Sequence, residues 1–322
     1  MLAGNARLKE LIASLISKGR EPHSLIITGE HGQGRKTAAK YISQALLCEQ
    51  QSGTPCGRCL ACKKIKNGTH PDVMFLKANE NGNYQVDTVR EIVSDAIVSP
   101  NEGRFKVYII PDFDKSRITG EQAQNILLKL IEEPPEHTVI ILTADSKEAF
   151  LPTIISRALA LSVVPCSVQE CAEYLGTLQK YSYGEIGDAV SAIGGNIGKC
   201  IEYLEKENIF FAVKYARDIC KALTDRNEYV LLMTLTECDC KKGLLRQTLE
   251  CISGIARDSA VISMGGSATG CDKEGAMVLS GRLGAAGSQK MYEVICNYIK
   301  KLDSNCSKTL TVNALCADLS VL

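Results

Sequence analysis

The sequence contains no tryptophan, only 6 phenylalanines and 4 histidines among its 322 residues. Proteins that bind single-stranded nucleic acid on their own usually stack bases on aromatic side chains, so this shortage argues against that mode of recognition. Net charge is missing too, because Lys and Arg together number 37 and so do Asp and Glu. A chain without a basic excess lacks the electrostatic footprint of an independent DNA binder. We therefore expect any DNA contact to be local or shared with other chains.

Long apolar runs are absent as well. No stretch approaches the roughly 18 consecutive apolar residues of a membrane span, and the opening of the chain lacks an apolar core followed by a small-residue cleavage site. We therefore expect a soluble, cytoplasmic protein with no membrane partner. The 15 cysteines would suit an extracellular disulfide scaffold, but their odd number and the apolar fraction of 45 % argue that most are reduced thiols.

The first half of the chain alternates strand and helix patterns. A helix is predicted over residues 5–19, a short buried strand over 24–28, and a glycine-rich turn at 29–37 leads into a second helix. Further strands are predicted at 73–76, 106–110 and 138–142, with helices at 86–98 and 119–132. This alternation predicts an α/β fold, with a mostly parallel sheet covered by helices on both faces.

Beyond about residue 165 the strand patterns end and helical patterns take over. The predicted helices lie at 167–179, 183–193 and 196–206, with longer helical patterns over 208–255 and 287–302. The Gly/Ser-rich stretch 262–275 predicts a loop. Because single cores rarely exceed roughly 250–300 residues, more than one domain is expected. The predicted parts are an α/β part at 1–165, a small helical part at 166–206 and a helical C-terminal part at 207–322.

The glycine-rich turn GEHGQGRKT resembles a phosphate-binding loop but departs from its pattern. Such a loop needs GxxxxGK[ST], because glycine amides surround the phosphates, Lys reaches the terminal phosphates and the hydroxyl holds Mg²⁺. The turn supplies Gly29, Gly32 and Gly34, followed by Arg35, Lys36 and Thr37. Aligned on the glycines, Arg35 replaces the lysine and Lys36 replaces the hydroxyl residue, where it would repel Mg²⁺. The alternative pair Lys36 and Thr37 is rotated by roughly 100° around the helix.

Arg35 could still hold an anion through its guanidinium, but both alignments predict an impaired site that does not hydrolyse ATP. The acidic strand end of phosphate-loop ATPases is also altered, since Pro111 stands where the first acid is expected. Asp112 and Asp114 follow, and we interpret them as solvated turn acids beside Lys115 and Arg117.

The segment TIISRALAL at 153–161 places Arg157 on a turn after the last predicted strand. An arginine there could reach the γ-phosphate bound to a neighbouring subunit, as an arginine finger does. The alternative is an arginine that packs a domain junction, and the pair Ser156-Arg157 by itself favours that alternative.

Two consecutive CxxC spacings occupy a polar insertion near residues 48–62. The candidate ligands are Cys48, Cys56, Cys59 and Cys62. Four thiolates within so short a segment predict a closed tetrahedral Zn²⁺ site of the structural kind, with no open position for catalysis. The alternative is chance clustering in a cysteine-rich chain. His70 could compete as a ligand, but we interpret it as a residue at the boundary of the next strand, and Cys238 and Cys240 as unpaired thiols.

The order of motifs along the chain carries a family resemblance. The turn GEHGQGRKT and the cysteine cluster are followed by NGTHPDV, VDTVREI, NILLKLIEEPPEHTVIILTA and TIISRA. This order resembles the bacterial clamp-loader subunits of the gamma/tau and delta-prime type, over the α/β and small helical parts and more loosely to the C-terminus. LLKLIEEPP and GTHPD are the most specific fragments. The resemblance implies an AAA+-like module with a zinc insertion at about 48–62, a small helical lid and an all-α collar domain for oligomerisation.

Within this family, the gamma/tau type keeps an intact phosphate loop and an Asp-Glu strand end, whereas the delta-prime type typically loses both. The changes at Arg35, Lys36 and Pro111 therefore indicate the delta-prime type. Gly198 agrees, because it stands where ATP-using relatives carry a sensor arginine. The delta-prime type implies a non-catalytic stator of the DNA polymerase III clamp loader in DNA replication. Its expected partners are gamma/tau and delta subunits in a hetero-oligomeric ring and, through that ring, the sliding clamp and primed DNA.

The resemblance also changes the interpretation of the Ser-Arg pair. Ser156-Arg157-Ala158 corresponds to the family's Ser-Arg-Cys motif, which implies that Arg157 serves a neighbouring ATP site as an arginine finger. The cofactor expected is structural Zn²⁺, with ATP neither bound nor hydrolysed by this chain. The alternative is a divergent gamma-like ATPase that still binds MgATP through Lys36 and Thr37. A free-standing, zinc-stabilised DNA-binding protein is a third hypothesis, which the zero net charge and the lack of aromatics disfavour.

Overall fold

The structure is a computed structural model that describes residues 2–79, 83–114, 120–239, 243–268, 270–303 and 307–321. The chain divides into two compact units, Met1–Pro165 and Cys166–Leu322. Among the described residues, no helix combines the length and apolar character needed to cross a membrane.

The first unit is built on a five-stranded sheet in which every neighbouring pair is parallel. The strands are β1 Ser24–Thr28, β2 Val73–Phe75, β3 Lys106–Ile110, β4 Thr138–Ala144 and β5 Leu159–Ser162. Their order is β2-β3-β4-β1-β5, and in the register Ile26 lies between Leu142 and Ala160. The three central strands are buried along their whole length, which explains why they are almost continuously apolar in sequence.

Helices cover both faces of the sheet. They are α1 Ala6–Ser17, α2 Arg35–Leu47, α3 Leu60–Asn67, α4 Val86–Asp95, α5 Gly120–Glu132 and α6 Pro152–Ile155, with a 3-10 turn at Lys147–Ala149. Successive strand residues point to opposite faces. Leu25 and Ile27 accordingly join a core cluster with Ile12 of α1 and Ile42 of α2. Ile26 joins the cluster of the other face, which α4 and α5 cover.

In the described residues of the second unit, all regular secondary structure is helical. Its helices are α7 Val168–Thr177, α8 Tyr183–Ile193, α9 Ile197–Leu204, α10 Asn208–Thr224, α11 Glu228–Asp239, α12 Leu244–Ser263, α13 Lys273–Asp303 and α14 Lys308–Ser320. Capping boxes begin α7, with Ser167 and Glu170, and α8, with Ser182 and Glu185. A small apolar cluster joins α7, α8 and α9, and a larger one joins α10 to α14.

The predicted α/β class, the parallel sheet and the helical C-terminal part are confirmed. One strand was not predicted, and two predicted segments have different bounds. Strand β5 was missed, because an apolar run of four residues is too short for its periodicity to separate a strand from a helix. The helical pattern over 208–255 belongs to three helices, α10, α11 and α12, with a turn at 225–227. The Gly/Ser-rich connection is shorter than predicted, because α12 ends at Ser263 and α13 begins at Lys273.

Candidate functional site

The carboxyl ends of three neighbouring strands meet beside the glycine-rich loop. The loop follows β1, Asp112 comes two residues after β3, and Asp145 follows β4 directly. Because β4 lies between β3 and β1 in the sheet, the three ends are adjacent. Open parallel sheets bind ligands outside the carboxyl ends of their strands. This edge is therefore the candidate functional site.

The glycine-rich loop is a tight turn that is held by hydrogen bonds between Glu30 and Gln33. The backbone N–H of Glu30 donates to Gln33 Oε1 at 3.0 Å, and the N–H of Gln33 donates to the carbonyl of Glu30 at 3.2 Å. Only glycine fits at position 29, because the backbone of Val163 lies so close that a Cβ would be 2.8 Å from its carbonyl oxygen. Gly34 caps α2 in a left-handed conformation (φ 91) and offers no side chain to the first amides of the helix.

Arg35 is the first residue of α2, and its side chain is only 8 % exposed. Its Nη2 donates to Asp112 Oδ1 at 2.9 Å, and its Nη1 donates to Asp145 Oδ1. Lys36 Nζ lies 2.9 Å from Asp112 Oδ2, while Thr37 is the third residue of the helix. The two cations of the loop are thus ion-paired with carboxylates of the same chain.

Asp112 lies on a turn and its side chain is 33 % exposed, but its carboxylate pairs with Arg35 and Lys36, which the sequence did not indicate. Lys115 and Arg117, the neighbours expected for it, lie outside the described residues. Arg35 is 77 residues away in sequence, so no local pattern could show the pair. The turn places Asp112 in a left-handed conformation (φ 51), with its N–H donating to Thr143 Oγ1 at 3.1 Å.

A hollow of about 360 Å³ opens next to this cluster. Its lining includes Lys36, Lys77, Asp112 and Pro111, together with Tyr84, whose hydroxyl donates to the carbonyl of Pro111. The hollow is therefore lined by two lysines and by Asp112, the carboxylate that forms ion pairs with the cations of the loop.

Ser156 and Arg157 lie on the turn between α6 and β5. Arg157 Nε is 3.1 Å from Glu132 Oε1, and its Nη1 donates to the carbonyl of Thr153 and to Ser156 Oγ, both at 3.1 Å. The Arg157 side chain remains 42 % exposed. The guanidinium is therefore oriented by its neighbours without being buried by them.

The four cysteines of the insertion come together. The Sγ atoms of Cys48, Cys56, Cys59 and Cys62 all lie within 4.8 Å of one another. Three backbone N–H groups donate to these sulfurs at 3.4 Å: that of Cys56 to Cys48, that of Cys59 to Cys56 and that of Cys62 to Cys59. Cys48 and Cys62 are buried, whereas Cys56 and Cys59 are partly exposed.

This donor set fits a zinc ion. Four sulfurs at about 2.3 Å from Zn²⁺ would lie about 3.8 Å from one another, which the cluster can meet with small adjustments. The backbone N–H groups of Arg58 and Cys59 lower the pKa of Cys56 to about 6. Burial raises the pKa of Cys62, an effect that the charge of a bound metal opposes.

The insertion is anchored to the rest of the first unit. Gln44 Nε2 of α2 donates to the carbonyl of Cys62 at 2.8 Å, and Glu49 Oε1 accepts from the N–H of Leu60 at 3.2 Å. Gly53 has φ 75, and a Cβ there would lie 2.5 Å from the carbonyl oxygen of Ala13 in α1. The insertion that carries the cysteines is therefore tied to α2 and packs tightly against α1.

His70 has partners other than the cysteines. Its Nδ1 accepts from the N–H of Asp72 at 3.1 Å, and its Nε2 lies 3.6 Å from Glu102 Oε1. Of the two thiols interpreted as unpaired, Cys238 is buried and Cys240 lies outside the described residues. Gly198 is the second residue of α9.

Sequence reasoning gave no role to Asp72, the last residue of GTHPD. Its buried carboxylate accepts hydrogen bonds from the N–H groups of Asn101, Glu102 and Gly103 at 2.6, 2.9 and 2.7 Å, and from Asn101 Nδ2 at 3.0 Å. The acid that ends this motif thus orders the turn before β3. The motif GTHPD indicates the family, but the partners of its acid lie about 30 residues later in the sequence, so the motif alone does not show the turn that Asp72 orders.

Comparisons with known proteins cover the same region. Residues 4–167 match the profile of the family described as DNA polymerase III, delta subunit. The chain is 27 % identical over 282 residues to DNA polymerase III subunit gamma of Buchnera aphidicola subsp. Acyrthosiphon pisum (strain APS), covering 82 % of this chain and 74 % of that protein. It is 34 % identical over 157 residues to subunit tau of Bacillus subtilis (strain 168), covering 48 % of this chain and 27 % of that protein.

The chain also aligns with a solved structure, a DNA polymerase III gamma subunit-related protein of Thermotoga maritima MSB8. The TM-score is 0.44 and the sequence identity 17 %, with 98 % of this chain and 99 % of that chain covered. The residues matched by the family profile include the sheet, the glycine-rich loop, the cysteine cluster and Arg157.

Proposed function

The chain belongs to the family of the DNA polymerase III delta subunit, and we propose that it is a non-catalytic, delta-prime-type subunit of a bacterial clamp loader. In this proposal it acts in DNA replication in the cytoplasm, as an AAA+-like module followed by a helical lid and a collar domain. It assembles with gamma/tau-type and delta-type subunits and reaches the sliding clamp and primed DNA as part of the assembled ring.

The observation that carries the non-catalytic role is the pairing of the loop cations. A phosphate loop functions when its cation and its Mg²⁺ ligand are available to the nucleotide. Here Arg35 donates to two carboxylates and Lys36 pairs with Asp112. Lys36 also occupies the position of the metal-binding hydroxyl, where a positive charge repels Mg²⁺. These features support a chain that neither binds nor hydrolyses MgATP.

Arg157 is proposed to act in trans on a neighbouring subunit's ATP. An arginine finger must reach out of its own subunit and place a guanidinium on the transferring phosphate. The half-exposed Arg157, oriented by Glu132 and Ser156, suits that task. Its few contacts can be exchanged for contacts to a phosphate, because exposed ion pairs are worth only about 0–1 kcal/mol.

The cysteine cluster is proposed to hold structural Zn²⁺. Cys48, Cys56, Cys59 and Cys62 would supply all four ligands, which leaves no position for a reacting water. The metal would then stabilise the insertion that packs on α1, with no part in chemistry.

Helix α11 in the second unit carries an exposed apolar surface that suits contact with another subunit. Four large apolar residues of this helix, all at least 37 % exposed, are Tyr229, Val230, Leu232 and Met233. Contiguous exposed apolar surface is typical of protein–protein interfaces. We propose that this surface contacts another clamp-loader subunit.

A gamma-like ATPase is the second candidate function. It is favoured by the curated relatives reported above, which are named gamma and tau subunits. In that case Lys36 and Thr37 would have to turn toward a nucleotide, and Lys36 would have to leave Asp112.

Equilibrium binding of MgATP to the isolated full chain separates the two candidates. The non-catalytic proposal expects no binding at millimolar MgATP and no release of phosphate. Micromolar, Mg²⁺-dependent binding accompanied by turnover would contradict it and establish the gamma-like ATPase.

A further inference from the structure

Asp112 contacts both cations of the glycine-rich loop, one with each carboxylate oxygen. Oδ1 accepts from Arg35 Nη2 at 2.9 Å, and Oδ2 lies 2.9 Å from Lys36 Nζ. A carboxylate held in this way by a guanidinium and an ammonium offers each of them a negatively charged acceptor oxygen, as a phosphate group would. We infer that Asp112 is a built-in anion that excludes phosphate from the loop, and that its removal alone opens the loop to metal-free polyphosphates. This inference rests on the proposed non-catalytic function and names the residue that enforces it.

Because Arg35 is buried, its guanidinium needs an ion-pair partner. The side chain of Arg35 is 8 % exposed, and a buried charge is costly unless it is paired and hydrogen-bonded. Asp145 also pairs with Arg35, but its side chain is 75 % exposed and it makes no ion pair with Lys36 in the part of the chain that the structure describes. Asp112 is therefore the carboxylate that joins the two cations.

The backbone fixes Asp112 in place. Its N–H donates to Thr143 Oγ1 at 3.1 Å, and the next N–H, that of the fully buried Phe113, donates to the carbonyl of Thr143 at 2.8 Å. Asp112 adopts φ 51, a left-handed conformation that Asp tolerates better than most residues. The carboxylate is thus presented to the loop by β4, which lies next to β1 in the sheet.

Space for a ligand exists beside the pair. The hollow of about 360 Å³ is lined by Lys36, Lys77 and Tyr84, and Asp112 is the one acid among its described lining residues. Neutralising Asp112 would leave two lysines on this hollow with no carboxylate between them. Such a surface attracts a polyanion.

The position of Lys36 determines the class of polyanion. Mg²⁺ in a phosphate loop is held by a hydroxyl, and Lys36 stands at that position. Magnesium bound to the phosphates would meet the ammonium of Lys36 and be repelled. The opened loop should therefore prefer inorganic tripolyphosphate or free ATP to MgATP, which is opposite to the preference of an ATPase.

Calorimetric titration of the full chain with inorganic tripolyphosphate tests the inference. Asp112→Asn removes the charge and keeps the shape, while Asp112→Gly removes the side chain and suits the left-handed backbone. The matched control is Asp87→Asn, because Asp87 is an acid on α4 that is 84 % exposed and pairs with Arg90. Asp145→Asn tests whether losing any carboxylate near Arg35 is sufficient.

Both Asp112 variants are expected to bind tripolyphosphate at least about tenfold more tightly than the unchanged chain, the factor that one charge-assisted hydrogen bond supplies. Asp87→Asn and Asp145→Asn are expected to bind like the unchanged chain. Excess Mg²⁺ should weaken the binding. Tripolyphosphate should also raise the melting temperature of the Asp112 variants and not that of the unchanged chain, because a ligand stabilises the state that binds it.

Two results would overturn the inference while leaving the non-catalytic function intact. One is no gain in either Asp112 variant, and the other is an equal gain in Asp145→Asn. Tight binding of MgATP by the unchanged chain is a different result, because it contradicts the proposed function itself and the inference that rests on it.

Discussion

The guanidinium of Arg157 is tied to the last residue of α5, because its Nε lies 3.1 Å from Glu132 Oε1. Both side chains are about half-exposed, at 42 % and 44 %. An ion pair so exposed contributes about 0–1 kcal/mol to stability. We therefore expect this ion pair to orient the guanidinium of Arg157 and to add little to the stability of the fold.

Glu132→Gln should lower the ATP hydrolysis of a reconstituted clamp loader by about two- to fivefold, the rate factor that corresponds to at most about 1 kcal/mol. The reason is that Arg157 loses its ion-pair partner Glu132, which in the proposed function orients it toward a neighbouring subunit. Glu133→Gln is the matched control, an adjacent glutamate with the same charge change, and should have no effect. An unchanged or increased rate for Glu132→Gln would contradict a positioning role for this residue.

The purified chain should contain one zinc ion, measurable by elemental analysis. Cys59→Ser should lose the metal and lower the melting temperature by at least about 5 °C, because metal binding is part of the folding free energy of such a site. Cys296→Ser, which removes a thiol of α13 in the second unit, should keep both zinc and melting temperature. If the unchanged chain is purified without zinc and has the same melting temperature as the Cys59→Ser variant, the cluster is not a metal site.

Asp72 should contribute stability that depends on pH. Burial raises the pKa of its carboxyl group, but hydrogen bonds from the N–H groups of Asn101, Glu102 and Gly103 outweigh it and leave the pKa lowered. The contribution is therefore present above the unfolded-state pKa of about 3.9 and is lost as the pH falls through the lower, folded-state pKa.

Asp72→Asn should accordingly reduce the free energy of unfolding by about 1.5–3 kcal/mol near neutral pH, the range for hydrogen bonds to charged groups. Urea unfolding at a series of pH values measures this difference, which should shrink in the acid range. Asp87→Asn again serves as the exposed control. A difference that stays constant down to low pH would mean that the charge of Asp72 is not what stabilises the turn.

The apolar surface of α11 should be required for assembly. Met233→Glu places a charge on this surface, where Met233 is 45 % exposed, and should weaken association with gamma-type subunits at least about tenfold without lowering the melting temperature. Ile97→Glu changes an exposed apolar residue of the first unit and is the control. Association unaffected by Met233→Glu, measured by surface plasmon resonance, would exclude α11 from the interface.

The sequence predicted those features whose signals are local. Strands β1, β3 and β4 were predicted because a buried parallel strand is apolar along its length. The cysteines were grouped correctly because CxxC spacing brings sulfurs together without help from the rest of the fold. The helices α7 and α8 begin at Ser-x-x-Glu capping boxes that are visible in the sequence.

The ion pairs of the site were not predictable in the same way. Arg35 is 77 residues from Asp112 and 110 from Asp145, and only the strand order brings the three together. Sequence alignment could show that Arg35 and Lys36 replace the usual residues. The alignment could not show that both residues form ion pairs with carboxylates of the same chain. Those pairs form because β3 and β4 end beside the loop.

Single-turnover ATP hydrolysis by a reconstituted clamp loader, with sliding clamp and primed DNA, tests the central claim most directly. The proposal predicts that Arg157→Ala lowers hydrolysis at least about tenfold, while Arg90→Ala, another exposed arginine, has no effect. It also predicts that Arg35→Ala combined with Lys36→Ala leaves hydrolysis unchanged and that the isolated chain is inactive. Hydrolysis by the isolated chain that disappears in the loop double variant would show instead that this subunit is an ATPase.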